Sequence, residues 1–213
     1  MSARTIAVVS AGLSQPSSTR LLADHLADAV VRRLAEDGVE AKIEVVELRQ
    51  HAHDLANSLL THFPNTALRG VIDTVVRADA LIAVSPIFTA SYSGLFKMFF
   101  DVLDKEALVG KPTLIGATGG TARHSLALEH AVRPLFGYLR SLVVPTAVYA
   151  ASEDWGSTGD GGAGLTGDGG AGLTERVERA AEELAALVAS RPVTEAVDPF
   201  DQPTPFEDLL TGR

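Results

Sequence analysis

Three short stretches of this chain, rich in hydroxyl groups and glycine, each follow an apolar run that is typical of a buried strand. They cover residues 10–19, 85–94 and 118–121. The carboxyl ends of parallel strands meet at one edge of an open α/β sheet, and such sheets bind ligands there. Backbone N–H groups and hydroxyls at the start of a helix bind anions. The three stretches therefore predict a site for a nucleotide-like ligand that carries a phosphate.

The three loops offer different groups. Ser17 and Ser18 lie at the entry to a predicted helix, where they either serve an anion or simply cap the helix. Gly119 and Gly120 allow successive amides to turn toward one point, which suits a carbonyl or a partial negative charge. A flat heterocycle between the second and third loops would meet backbone donors and few ionisable groups. Structural turns remain the alternative explanation for each loop taken alone.

Several well-known motifs are absent from the sequence. No G-x-G-x-x-G follows the first strand, which argues against a Rossmann dinucleotide site, and no P-loop motif is present. The serines of the loops lie in turns without a G-x-S-x-G elbow, so a hydrolytic triad is not indicated. Transfer of a hydride between two stacked rings needs no side-chain nucleophile or general acid, and it suits these loops better than hydrolysis does.

The elements that position the loops alternate between short apolar runs and helical patterns, which is typical of a parallel sheet with crossover helices. The predicted strands are Thr5–Ser10, Ala41–Leu48, Ala80–Val84, Thr113–Ala117 and Val143–Ala150. The predicted helices are Ser18–Asp37, Ala67–Ala78, Gly94–Leu103, Ala122–Leu142 and Thr174–Ser190, the last with Thr174 as its N-cap. By count alone, five strands and five helices fit a flavodoxin-like or a Rossmann-like order equally well.

The loops with their flanking residues resemble those of the NAD(P)H-dependent FMN reductases. The branch that supplies reduced flavin to two-component monooxygenases, of the sulfonate-utilisation type, is the most similar. The resemblance lies in PIFTASYSGLFK at 86–97, in ATGGTARH at 117–124 and, more loosely, in SSTR at 17–20. It covers about 5–150. Two departures are Gly12-Leu13-Ser14, where the family usually has Gly-Ser-Pro, and Phe88, where it often has tyrosine.

This resemblance implies a flavodoxin-like three-layer sandwich whose five-stranded parallel sheet has the order 2-1-3-4-5. It implies hydride transfer from NADPH or NADH to the N5 atom of FMN by positioning alone, without a catalytic side chain. A quinone or azo reductase that retains FMN, and a non-enzymatic flavodoxin-like electron carrier, are the alternatives. The candidate cofactor-binding residues are Ser10, Ser14, Ser17, Ser18, Thr19, Pro86, Ile87, Phe88, Thr89, Ser91, Tyr92, Thr118, Gly119, Gly120 and His124.

Assembly is suggested by the predicted helix 94–103, which is apolar around almost its whole circumference, more than one sheet face can bury. We therefore expect a homodimer or a dimer of dimers with Phe96, Phe99 and Phe100 at the interface.

Pro134 removes the N–H that would bond the carbonyl of His130, which predicts a kink or a one-turn π-bulge there. In the resembled family an aromatic residue at this bulge lies at the subunit interface near the flavin, which gives His130 the same expected place.

The composition of the chain argues against several classes of function. The chain has 213 residues, a formal net charge of −9 and no cysteine, so a nucleic-acid partner and thiol chemistry are not expected. We expect no metal site, because the histidines at 51, 53 and 62 lie in a predicted loop that fixes no ligand geometry. No apolar run approaches the roughly 20 residues of a membrane span, and no signal-peptide pattern is present. A cytoplasmic protein that makes no contact with membranes is expected.

The carboxyl-terminal third departs from the α/β rhythm. The octad GDGGAGLT at 159–166 is repeated without change at 167–174, and a loop over 156–174 is expected because glycine-rich sequence buries little apolar surface. Residues 191–213 contain four prolines among acidic residues and predict an extended tail. The expected organisation is a flavin-binding domain over 1–190 and a tail over 191–213.

Overall fold

A computed structural model of the chain describes residues 3–155 and 168–192. The strands are β1 (Arg4–Ser10), β2 (Ala41–Glu47), β3 (Ala80–Phe88), β4 (Ser91–Tyr92), β5 (Pro112–Gly119), β6 (Leu142–Val143) and β7 (Val148–Ala151). The helices are α1 (Ser18–Glu36), α2 (Ala52–Thr61), α3 (Thr66–Arg77), α4 (Gly94–Asp101), α5 (Arg133–Tyr138) and α6 (Asp168–Ala189). Short 3-10 segments cover Leu48–His51, Ala122–His124 and Ser152–Trp155, and one π-helical turn covers Leu128–Val132.

The sheet is parallel in the order β2-β1-β3-β5, with β6 and β7 both paired to β5. The short β4 folds back antiparallel on the end of β3. The predicted order 2-1-3-4-5 is confirmed, except that the last predicted strand is split into β6 and β7. Pro145 lies in the gap between them, and a proline has no N–H to donate to a strand ladder.

Helices cover both faces of the sheet, as the fully apolar run of β3 requires. On one face α1 and α6 pack together and bury the apolar side chains of their facing stripes. On the other face, α2 to α5 bury a second cluster that contains the phenyl rings of α4 and Leu55 of α2. The flavodoxin-like three-layer architecture predicted from the sequence is confirmed.

The phenyl rings of α4 lie inside the chain, not on its surface. Phe96 and Phe99 are fully buried and Phe100 is 2% exposed. The ring of Phe136 on α5 packs 4.9 Å from that of Phe100, and α2 covers α4 from another side. The expectation that these three rings lie at a subunit interface is wrong, because α2 and α5 supply the second apolar surface that the sheet alone cannot. Helix α2 itself lies where the sequence predicted a loop.

The predicted helix over 122–142 is broken into three pieces. A π-helical turn spans Leu128–Val132 and leads into α5, which has Pro134 near its start. The π-bulge predicted at His130 is therefore confirmed, since this proline cannot continue the α-helical hydrogen bonds. His130 is exposed on this turn. Its contact with a second subunit stays a prediction.

Helix α6 begins at Asp168, earlier than predicted. Thr174 consequently lies inside the helix, so its role as N-cap and the loop expected over 168–174 are both wrong. Leu173 is fully buried and continues the apolar stripe of Val177, Ala181 and Leu184, so packing outweighs the low helix propensity of glycine. The rest of the predicted loop, 156–167, and the tail beyond 192 lie outside the described residues. Within the described part of the chain, no helix is long and apolar enough to cross a membrane.

Candidate functional site

The carboxyl ends of β1, β3, β5 and β7 open into one cleft of about 400 Å³. A cleft of this size is ordinary for a small cofactor. Four segments of the chain, one after each of these strands, form its walls. The lining residues are Leu13, Ser14, Ser17, Ser18, Thr19, Pro86, Ile87, Phe88, Thr118, Gly119, Gly120, Ser152 and Trp155. Ten of the fifteen candidate cofactor-binding residues are thus brought together at the predicted edge.

The first wall is the loop that leads into α1. Ser17 caps this helix, with its Oγ accepting the backbone N–H of Arg20 at 3.2 Å. A Cβ at Gly12 would lie 2.0 Å from the same Oγ and 3.1 Å from Ser17 Cβ, so any side chain there would push the serine out of its capping position. Ser18 is exposed, and the first turn of α1 carries no acidic residue. Because helix N-termini favour negative charge, the cap and the anion site predicted for these serines are compatible.

A hydrogen bond joins the first wall to the third. Thr19 Oγ1 and Thr118 Oγ1 lie 2.8 Å apart, and the two residues are 3% and 5% exposed. This pairing uses one of the two hydroxyl protons, so the other hydroxyl keeps a donor at the cleft wall. The hydrogen bond also fixes the spacing between the start of α1 and the end of β5.

The second wall is the β3–β4 hairpin. Ser85 Oγ donates to the carbonyl of Pro86 at 2.9 Å and accepts the N–H of Ser93 at 3.0 Å, which ties the two ends of the hairpin together. At the tip, Thr89 and Ala90 have φ values of 49° and 68°. Positive φ at both central residues matches the tight two-residue hairpin turn, and it is strained for a β-branched threonine. Such strain often marks functional loops.

The third wall depends on a close contact between Gly119 and Tyr149. A Cβ at Gly119 would lie 2.1 Å from the phenol oxygen of Tyr149, which donates to the carbonyl of Thr121 at 2.9 Å. Burial, and then the nearby carboxylates Asp154 and Glu153, raise the pKa of this phenol. Tyr149 is therefore a neutral hydrogen-bond donor that holds the glycine loop from behind.

The fourth wall was not predicted from the sequence. Ser152 and Trp155 follow β7, and the ring of Trp155 stacks on His25 of α1 with centroids 6.2 Å apart. Leu13 also lines the cleft and is 54% exposed. The rule that ligands bind at the carboxyl ends of strands applies to the fifth predicted strand as well, and it would have identified 152–155.

Five candidate residues do not line the cleft. Ser10 is buried at the end of β1, and His124 is exposed on a 3-10 segment beyond the glycine loop. Thr89 occupies the hairpin tip, Ser91 pairs with Phe88 across the hairpin, and the Tyr92 ring packs 5.8 Å from that of Phe96. A role in cofactor binding stays a prediction for these five.

The cleft has no ionisable side chain among its described lining residues. The nearest cation of the first wall, Arg20, is paired with Glu47 at 2.6 Å and with Asp24 at 2.8 Å. The hydrogen bond to Asp24 and the charge of Glu47 raise the pKa of Arg20. The donors on the described walls of the cleft itself are thus neutral hydroxyls and backbone amides. The absence of an acid or base on the walls fits a reaction that proceeds by positioning, as the loops suggested.

Known proteins resemble the chain closely. The family model described as NADPH-dependent FMN reductase matches residues 4–156. An FMN reductase (NADPH) of Pseudomonas aeruginosa is 38% identical over 152 residues, 70% of this chain and 78% of that protein. The NADH-dependent FMN reductase SfnE of Pseudomonas putida is 35% identical over 149 residues, 70% of this chain and 77% of that protein. An oxidoreductase structure from Corynebacterium diphtheriae superimposes with a TM-score of 0.83 and 45% identity, covering 89% of this chain and 99% of that one. The chain therefore belongs to the NADPH-dependent FMN reductase family.

Proposed function

We propose that this protein binds FMN in the cleft and catalyses its reduction by NADPH or NADH. The observation that carries the proposal is the combination of an uncharged cleft wall with a helix N-terminus at one end. FMN matches this arrangement, because it joins a flat, largely neutral ring to a negatively charged phosphate.

The residues of the cleft have separate tasks. The hydroxyl of Ser18 and the first amides of α1 would bind the phosphate, with Ser17 holding the helix start in place. Gly119 and Gly120 project no side chain, so the amides of this loop would be open to the polar edge of the ring. Phe88 is 48% exposed on the opposite wall, where it offers an apolar edge to the same ring. Each group fits FMN without a charged side chain.

Bound FMN would supply the redox chemistry, because its ring accepts a hydride. The chain's own contribution is to hold the ring and leave one approach open for the nicotinamide. The Thr19–Thr118 and Ser85–Ser93 hydrogen bonds fix the walls before either substrate arrives. Such preorganisation lowers the barrier to hydride transfer because the reactants are already ordered before the transfer begins.

Steady-state oxidation of NADPH and NADH with free FMN tests the proposal. We expect FMN-dependent oxidation of at least one of the two nucleotides and a KM for FMN that rises in a Ser17→Ala/Ser18→Ala variant. An electron carrier would bind FMN but would not oxidise either nucleotide in repeated turnovers. That result would contradict the proposal.

We also propose that the protein acts as a homodimer or a dimer of dimers. The rings of α4 are buried within the chain and no longer support this assembly. Exposed apolar side chains instead lie before and after the π-helical turn. Leu126 is 64% exposed, Tyr138 is 78% exposed, and His130 lies between them in the sequence. A monomer at micromolar concentration in light scattering would contradict this proposal.

The user of the reduced flavin is proposed to be a flavin-dependent monooxygenase. The support is the resemblance of residues 86–97 and 117–124 to the reductase branch that serves such enzymes. We further propose that residues 1–190 form one flavin-binding domain and that 191–213 are a Pro-rich extended tail, whose first two residues accept hydrogen bonds from Arg4 of the domain. Proteolysis that leaves 1–190 intact and active would support this division, and inactivation on loss of the tail would contradict it.

A further inference from the structure

A second cavity, of about 530 Å³, lies at the opposite edge of the sheet from the cleft. Its walls come from residues at the amino ends of three parallel strands and from the end of α6. Arg4 begins β1, Asp79 precedes β3, Lys111 precedes β5, and Arg191 follows α6. The cavity is therefore separate from the proposed FMN site.

The charges around this cavity are unbalanced. Four cationic side chains line it, Arg4, Arg77, Lys111 and Arg191, against the single carboxylate of Asp79. Both oxygens of that carboxylate are already engaged: one accepts from Arg4 Nη1 at 3.1 Å and the other accepts the N–H of residue 5 at 2.7 Å. The described residues thus leave an excess of three positive charges around a cavity that has no free carboxylate.

Lys111 and Arg4 are the buried members of this group, at 9% and 5% exposure. Lys111 Nζ donates to the carbonyls of Val76, at 3.1 Å, and Ala78, and within the described part of the chain it has no carboxylate at hydrogen-bond distance. Burial, opposed in part by Asp79, lowers the pKa of Lys111 to about 8. Closing the end of α3 explains this lysine in part, and among the described residues the facing carboxylate is Asp79, which is already paired with Arg4.

Arg77 lies in the last turn of α3 and Arg191 follows the end of α6, so the helix dipoles favour a positive charge at both places. Neither forms an ion pair with another described residue, although both line the cavity. Arg77 is exposed and Arg191 is half-buried, so water screens part of their repulsion, and an anion in the cavity would relieve the rest. Arginine is also the side chain best suited to bind a phosphate or a carboxylate through paired N–H groups.

We propose that this cavity is a binding site for a phosphate or carboxylate group that Arg77 and Arg191 bind directly. Arg4 and Lys111 contribute positive charge, since their N–H groups already donate to Asp79 and to the carbonyls of residues 76, 78, 191 and 192. The anion has two possible sources, a free phosphate-bearing molecule or the chain itself. The sequence that follows Pro192, which lines the cavity, carries five acidic residues and one arginine over 193–213. A tethered carboxylate has the advantage of a high effective concentration.

Thermal unfolding of the full chain in inorganic phosphate, at an ionic strength held constant with chloride, tests the site. The Ser17→Ala/Ser18→Ala background removes the phosphate-binding hydroxyls of the other edge. We expect phosphate to raise the midpoint by about 5 °C when it is far above its Kd. Adding Arg77→Gln and Arg191→Gln should abolish this shift. Adding Arg69→Gln, which removes an exposed arginine of the same helix α3 outside the cavity, should leave it unchanged.

A second set of variants in the same background separates the two sources. If the chain's own carboxylates fill the site, replacing all five by amides, Glu195→Gln/Asp198→Asn/Asp201→Asn/Glu207→Gln/Asp208→Asn, should lower the midpoint without phosphate and enlarge the phosphate shift. If a free anion fills it, these substitutions should change neither quantity. Either result supports an anion site. The proposal is overturned if phosphate produces no shift beyond that of chloride in both the background and the acidic-residue variant, or if the shift survives loss of both arginines.

Discussion

Adding a single methyl group at Gly119 tests whether the close contact between this glycine and Tyr149 determines the structure of the glycine loop. In Gly119→Ala the new Cβ would lie 2.1 Å from the phenol oxygen and 3.2 Å from the ring carbon that bears it. Unstrained contacts of this kind are about 3.5 Å, so the phenol must move by more than about 1 Å. Tyr149 is 7% exposed, and its buried ring cannot swing away freely.

The cost has two parts. The hydrogen bond from Tyr149 to Thr121, 2.9 Å long, would be lost, which removes about 1 kcal/mol. Overpacking of a buried site costs a further ~1–3 kcal/mol. We expect the free energy of unfolding in urea to fall by about 2–4 kcal/mol in total. Because Gly119 lines the cleft, FMN affinity should fall as well, by about tenfold for each 1.4 kcal/mol of lost binding free energy.

Two further variants control this experiment. A Cβ at Gly120 would meet nothing within 4 Å, so Gly120→Ala adds the same methyl group to the same loop and should stay within about 0.5 kcal/mol of the wild type. Tyr149→Phe removes the clashing hydroxyl, and the double variant with Gly119→Ala should be less destabilised than the two single losses predict together. Equal stability of the two alanine variants, or an additive cycle, would refute the packing argument.

Three further predictions concern the same walls and the core behind them. Because burial and two carboxylates hold the pKa of Tyr149 above that of an unfolded tyrosine, the folded state keeps its proton longer. Stability should therefore fall as the pH rises above about 10, and Tyr149→Phe should flatten this part of a urea-unfolding pH profile. Ser85→Ala leaves the buried N–H of Ser93 without its partner, which should cost about 1–3 kcal/mol and raise the KM for FMN. Phe99→Asp should unfold the subunit, as seen by circular dichroism, and a folded monomer in light scattering would contradict its place in the core.

The strand order could be predicted from the sequence because local loop motifs indicate it. The surface against which α4 packs could not be predicted in this way. The apolar circumference of that helix is visible in residues 94–103, but its partner could be a second subunit or another part of the chain. The answer lies in α2 and in Phe136, which are distant in sequence, and periodicity says nothing about such pairings. The π-helical turn was accessible because its cause, Pro134, lies within the same segment.

The same distinction applies to the cleft. The hydroxyls and glycines of three loops were identified because they follow strands directly. The sequence shows Gly119 but not the phenol of Tyr149 that makes a glycine necessary, since the two are 30 positions apart. Trp155 was missed although it also follows a strand, because the four residues directly after β7, Ser152–Trp155, contain one hydroxyl group and no glycine. The sequence therefore indicates which polar residues follow each strand, but it does not indicate which distant residues come into contact when the chain folds.

The central claim is that the start of α1 binds the phosphate of FMN in the cleft that Trp155 lines. This tryptophan is the single one in the chain, so its fluorescence reports directly on the cleft. Titration of FMN and of riboflavin, which lacks the phosphate, should quench this fluorescence. In Ser17→Ala/Ser18→Ala, FMN affinity should fall about tenfold or more while riboflavin affinity changes little.

The matched control is Asn65→Ala, which removes the N-cap of α3 at a similar cost in stability but leaves the cleft intact. It should leave the affinities for both ligands unchanged. Weaker FMN binding with unaltered riboflavin binding in the serine variant is the result that this account predicts. Equal losses for the two ligands, or no quenching of Trp155 by FMN, would contradict it.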